Sequence, residues 1–149
     1  MEINLESLKY LIEGNEYKIT ILSNASAYLN DSLENINWVG FYLLNNDYLY
    51  LGPFQGHPAC INIPVGKGVC GNTIKENKTI VVDNVLEYKG HIACDSKSRS
   101  EICVPIYVNN KIYGLLDIDS PIFNRFTEKD KEILENAVKI IENALNNAK

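Results

Sequence analysis

Apolar positions recur at helical spacing near both ends of the chain and alternate through its middle, which predicts helices flanking a sheet. The first 35 or so residues read as helical. Leu5, Leu8, Leu11 and Ile12 share one stripe, Gly14 breaks it, and Ile19, Leu22, Ala25, Tyr28, Leu29 and Leu33 continue it in a second helix. Two β-rich runs follow, Asn37–Leu44 and Tyr48–Phe54, joined by Asn45-Asn46-Asp47 in the manner of a hairpin. In the first run Trp38, Gly40 and Tyr42 fall on one face and Val39, Phe41 and Leu43 on the other.

Further along, Cys60–Pro64 reads as a short strand held to a sheet margin by Pro58 and Pro64. Gly66-Lys67-Gly68-Val69-Cys70-Gly71 leads into a short helix over Asn72–Asn77, and Thr79–Val82 is a β-branched strand. Residues 83–100 are polar and irregular, and a loop that long within a domain is usually functional or disordered. Glu101–Val108 and Lys111–Asp119 form a second hairpin around Asn109-Asn110. Thr127, with Asp130 three residues on, caps a last helix running to about Asn147. Its stripe of Leu134, Val138, Ile141 and Leu145 is doubled by Ile133, Ala137, Ile140 and Ala144, a width that hints at a subunit interface. Hairpins imply an antiparallel sheet, and terminal helices can cover one face together. The fold class is α+β.

Length fits one domain over residues 1–149, and 46% hydrophobic with 22% charged residues excludes a disordered or fibrous chain. Fourteen basic against nineteen acidic residues leave a net charge of −5, which argues against nucleic acid or an anionic membrane as partner. No apolar run is long enough to span a bilayer, and the start Met1-Glu2-Ile3-Asn4 is no signal peptide, so the expected location is the cytoplasm.

Four cysteines, Cys60, Cys70, Cys94 and Cys103, lack the close spacing of zinc ligands, and a structural metal is disfavoured. Each is by default a small buried hydrophobe. Cys70 precedes a predicted helix, whose positive end favours a thiolate, and Cys94 lies in the polar loop. Cys103, between Ile102 and Val104, reads as packing. Asp117 and Asp119 share a strand face, and Glu101 opens the partner strand at the same end of the hairpin. Together they either bind a cation and tune a proton, or form a solvated strand end. Register decides between these. A two-residue turn pairs 108 with 111 and puts Glu101 opposite Ile118, whereas a three-residue loop or a bulge pairs 101 with 119 and gathers all three acids. Trp38 and Tyr42 either floor an apolar pocket or belong to the core, the better reading from pattern alone. His57 and His91 are isolated, and Gly66, Gly68 and Gly71 form no phosphate-binding fingerprint.

Several segments together resemble one family. They are Asn37-Trp38-Val39-Gly40-Phe41-Tyr42, Gly52-Pro53-Phe54-Gln55-Gly56, Ala59-Cys60-Ile61, Gly68-Val69-Cys70-Gly71, Gly90-His91-Ile92-Ala93-Cys94-Asp95, Ser100-Glu101-Ile102 and Leu116-Asp117-Ile118-Asp119-Ser120-Pro121. Over roughly residues 36–128 the chain resembles the free methionine-(R)-sulfoxide reductases, small stand-alone enzymes of GAF fold. The resemblance implies reduction of free methionine-(R)-sulfoxide. Cys94 would attack the sulfoxide sulfur, Cys60 would resolve the sulfenic acid as a disulfide, and Cys70 would be a third thiol able to exchange with the pair. Thioredoxin would be the reductant. Glu101, Asp117 and Asp119 would hold the substrate ammonium and polarise the sulfoxide. Trp38 and Tyr42 would receive its methyl group, and backbone amides of the Cys94 loop its carboxylate. No cofactor or metal is implied. Cys103 falls where the family usually has an aliphatic residue, so its thiol is not implied in catalysis. The wide last helix and the resemblance both point to a homodimer through the terminal helices. Two other functions share the fold: a ligand-binding GAF sensor, disfavoured because the chain has no room for an output domain, and a thiol-based redox regulator.

Overall fold

In the computed structural model, which describes residues 2–149, the chain runs through α1 (Leu5–Ile12), α2 (Lys18–Ser32), β1 (Trp38–Asn45), β2 (Tyr48–Gly56) and β3 (Asn62–Pro64). It continues through α3 (Gly68–Glu76), β4 (Ile80–Val82), a single 3₁₀ turn at Val85–Glu87, β5 (Ser100–Val108), β6 (Lys111–Ser120) and α4 (Glu128–Asn146). The strands form one six-stranded sheet in the order β3-β2-β1-β6-β5-β4, antiparallel at every step. Strand alternation sorts the side chains into two layers. Val39, Phe41, Leu43, Ile102, Val104, Ile106, Leu116 and Ile118 meet the buried stripes of α1, α2 and α4 in the larger core. Trp38, Tyr42, Cys103 and Leu115 face the other way and pack with Val69 and Cys70 of α3.

Local chemistry accounts for the element ends. The Asn4 side chain accepts from the Ser7 amide and caps α1, and Gly14, at φ +75°, breaks the helical run. Thr127 and Asp130 form a reciprocal capping box at the start of α4. Asn109 and Asn110 both take positive φ, the geometry of a type I′ turn that matches the twist of β5 and β6.

Some boundaries differ from the pattern's prediction. Leu11 and Ile19 are exposed, while Ile21 and Ser26 take buried places on α2. Cys60 lies ahead of β3 and not within a strand over Cys60–Pro64. The helix predicted at Asn72–Asn77 begins at Gly68, which places Cys70 inside its first turn. Gly68 and Gly71, ahead of the predicted helix, belong to its first turn and serve close packing. Gly68 enters the helix at φ +65°, and a side chain on Gly71 would strike the Pro64 carbonyl. On α4, Ala137 is buried, and Ile140 and Ala144 pack against the core shared with α1 and α2. Much of that apolar stripe is therefore used within the chain. Among the described residues no helix is long and apolar enough to cross a membrane.

Thr127→Ala removes the hydroxyl that accepts from the Asp130 amide. Urea denaturation of this variant should show a loss of about 1 kcal/mol with an unchanged m-value.

Candidate active site

Register between β5 and β6 builds the site. Val108 pairs with Lys111 across the two-residue turn, but Ile106 pairs with Gly114 while Tyr107 pairs with Ile112, which leaves Tyr113 as an extra residue in β6. Beyond this bulge Glu101 pairs with Asp119 and Cys103 with Asp117. Without it Glu101 would face Ile118. The hairpin thus combines the tight turn with the bulge, and the three acids come together on the face away from α1, α2 and α4.

Glu101, Asp117 and Asp119 are all buried. The Cys103 thiol lies 3.6 Å from Glu101 Oε2 and 3.4 Å from Asp117 Oδ1. Cys70 Sγ lies 3.8 Å from the same Glu101 oxygen and 3.5 Å from Cys103 Sγ. His91 Nε2 stands 3.9 Å from Glu101 Oε1. Burial first, and then the charges of Asp117 and Asp119, hold the Glu101 carboxyl well above its usual range. Asp119 is pushed well up by burial and by Asp117. Asp117 is also raised by burial, against hydrogen bonds from Glu101, Cys103 and Cys70 that favour its charged form. Burial lowers the pKa of His91.

Two expectations for the thiols are corrected here. Cys70 is not poised as a thiolate by the α3 N-terminus. A hydrogen bond from Cys103 pulls its pKa down, but burial and the nearby Asp117 and Asp119 outweigh that and push it up to about 12. Cys103 is fully buried, as packing predicts, yet its sulfur stands inside the acid cluster and not among aliphatic neighbours alone. Burial and the contact with Cys70 hold its pKa well above the ordinary thiol value.

Cys60 and Cys94 are joined by a disulfide, with their Cα atoms 5.2 Å apart. Cys94 lines a cavity of about 30 Å³ together with Cys70, His91, Glu101, Asp117 and Asp119. Hydrogen bonds pin the 83–100 loop around it. Val85 and Arg99 bond through their backbones, the Arg99 amide donates to the Ser120 carbonyl, and Asn37 Nδ2 donates to Asp95 Oδ2 at 2.8 Å and to Ser98 Oγ at 3.2 Å. Trp38 and Tyr42 are buried beneath the site and do not line the cavity. Their rings stack, with centroids 5.9 Å apart, and each donates to the segment carrying Cys60: Trp38 Nε1 to the His57 carbonyl, and the Tyr42 hydroxyl to the Cys60 carbonyl at 2.8 Å. His57 contributes only that backbone oxygen.

Three further side chains stand at the site: Cys103, His91 and Ser98. The signal for Cys103 was present, because residues two apart on a strand share a face and Cys103 follows Glu101 by two. His91 and Ser98 carried no local signal, since loop folding alone brings them to the cavity.

An arrangement of two bonded cysteines, two buried thiols and three coupled carboxyls around one cavity can exchange electrons through sulfur and supply a proton beside it. The GAF domain family model matches residues 18–145. An Escherichia coli protein named free methionine-R-sulfoxide reductase is 48% identical over 135 residues, covering 91% of this chain and 82% of that protein. The solved structure of fRMsr of Staphylococcus aureus in its reduced form superposes with a TM-score of 0.92 at 59% identity, over 95% of this chain and 92% of that one. The same protein in complex with substrate gives 0.89 at 56% identity over 97% of each. The chain belongs to the GAF domain family and, within it, to the free methionine-R-sulfoxide reductases.

The acids also set a pH dependence. Raised carboxyl pKa values mean that the folded state binds protons more tightly than the unfolded one, so stability falls as pH rises from the ordinary carboxylate range through the raised values. Glu101→Gln removes one of these groups. Its Tm should exceed that of the wild type by a few degrees at neutral pH, and the gap should close toward pH 4; thermal melts across that range measure it.

Proposed function

We propose that this chain reduces free methionine-(R)-sulfoxide to methionine, with Cys94 as the nucleophile. The supporting observation is the disulfide of Cys94 with Cys60, set on the same cavity as the coupled acids. The Cys94 thiolate attacks the sulfoxide sulfur while a proton passes to the sulfoxide oxygen. The hydroxyl then passes from the substrate sulfur to the Cys94 sulfur as the bond between the two sulfurs breaks, so methionine departs and Cys94 is left as a sulfenic acid. The Cys60 thiol then displaces water and forms the disulfide, which the dithiol of thioredoxin reduces. In sum, one sulfoxide and two thiols give methionine, one disulfide and one water.

Sulfoxide oxygen is a poor leaving group until it is protonated. Glu101 and Asp119, whose surroundings favour the protonated form, supply that proton, and Asp117 faces the substrate ammonium. The carboxylate falls to amides of the Cys94 loop other than those of His91, Cys94, Lys97 and Ser98, which already donate within the loop. A cavity of about 30 Å³ has room for a water-sized group and not for an amino acid. Reduction of the disulfide therefore goes with retreat of Cys60, which opens space above Trp38 and Tyr42 for the S-methyl group. The raised pKa of Cys70 leaves it outside the first turnover.

Thioredoxin-coupled NADPH oxidation with the resolved epimers tests the reading. The R epimer of free methionine sulfoxide should turn over and the S epimer should not; no turnover with R leaves a ligand sensor or redox regulator in its place. Cys94→Ser should abolish methionine release. Cys60→Ser should release one equivalent per chain and then stop. Equal single-turnover yields from both variants and the wild type would assign the nucleophile elsewhere.

A further inference from the structure

Cys103 has no part in the proposed turnover, yet it sits where four ionisable donors converge. The ligand atoms of Cys70, Glu101, Cys103 and Asp117 all lie within 4.8 Å of one another. Thiolate sulfur binds zinc at about 2.3 Å and carboxylate oxygen at about 2.0–2.2 Å, so a tetrahedral site has edges of about 3.8 Å between sulfurs and about 3.5 Å between sulfur and oxygen. The corresponding separations here are 3.5 Å between Cys70 and Cys103, 3.8 and 3.6 Å from these sulfurs to Glu101 Oε2, and 3.4 Å from Cys103 to Asp117 Oδ1. Four edges of the tetrahedron are already near the lengths a metal would impose.

We propose that Cys70, Cys103, Glu101 and Asp117 form a binding site for zinc(II). A pair of thiolates selects a soft divalent ion over magnesium or calcium. Among the described residues His91 makes the one ion pair to the three acids, at 3.9 Å from Glu101, and the exposed Lys67 lines the same cavity, so a divalent ion adds positive charge directly between the thiols and carboxyls. Entry runs through the cavity, which Cys70, Glu101 and Asp117 line. The Glu101 oxygen not facing the thiols is turned to His91, an outer partner that orients the carboxylate. Sequence spacing does not reveal the site, because Cys70 comes from α3 and Cys103 from β5 and only the packing of that helix on the sheet joins them. Zinc and the substrate ammonium would compete for Asp117; this consequence rests on the proposed activity, whereas the site itself does not.

Cobalt(II) is the probe, added to Cys60→Ser/Cys94→Ser protein so that only Cys70 and Cys103 remain as thiols. A sulfur-to-cobalt charge-transfer band with tetrahedral visible absorption should appear at one ion per chain and be displaced by zinc. Affinity should rise by at least roughly 100-fold per pH unit around neutrality, because the two thiols, and Glu101 while it is protonated, must each release a proton. Adding Cys103→Val should weaken cobalt binding by at least about 100-fold with an unchanged circular dichroism spectrum, and Cys103→Ala repeats the test if valine overpacks the position. Absence of the charge-transfer band, or a band that survives both Cys103 substitutions, overturns the site. Zinc binding without inhibition of sulfoxide reduction leaves the site standing and overturns the roles proposed for Glu101 and Asp117 in turnover.

Discussion

One unmatched residue, Tyr113, sets which side chains confront one another across the central hairpin. Because it bulges out of β6, every pair beyond it moves by one position, and Glu101 meets Asp119 where it would otherwise meet Ile118. Three carboxyls and two thiols are thereby enclosed on one face of the sheet. Burial and mutual repulsion disfavour full ionisation of the three carboxyls and favour shared protonation. The acid chemistry of the site follows from that shared protonation.

The rest of the fold keeps this cluster dry and in place. On the opposite face α1, α2 and α4 bury the alternate residues of the same strands, so the positions of Glu101, Cys103, Asp117 and Asp119 are tied to a tightly packed core. On the near face α3 brings Cys70 down onto Cys103, and the 83–100 loop brings Cys94 and His91 to the cavity. Trp38 and Tyr42 anchor the Cys60 segment through two carbonyls, so buried aromatic residues support the segment that carries the disulfide. Strands hold the buried carboxyls, and the two disulfide-bonded cysteines sit outside regular strands and helices, where small movements cost little.

Much of this architecture was legible in residue pattern. Hairpins around Asn46 and Asn109-Asn110, the capping box at Thr127 and the two faces of β1 all follow from local rules, because turn, cap and strand alternation depend on neighbours a few residues apart. The Gly68–Gly71 stretch misled for an equally local reason. Gly71 lies close against the Pro64 carbonyl and Gly68 against the Ile92 side chain, which are contacts and not propensities.

The chain's own order of residues therefore determined the α+β layout, the helix-covered face, and the set of cysteines and acids available for chemistry. It also set out the two registers open to the second hairpin. Tertiary structure decided between them, joined Cys60 to Cys94, buried Cys70 so that its thiol resists ionisation, and put Cys103 among the acids. Each of these depends on residues from separate elements meeting in a space closed to water. Charge, proton affinity and sulfur reactivity are set by that local environment, which no one segment specifies alone.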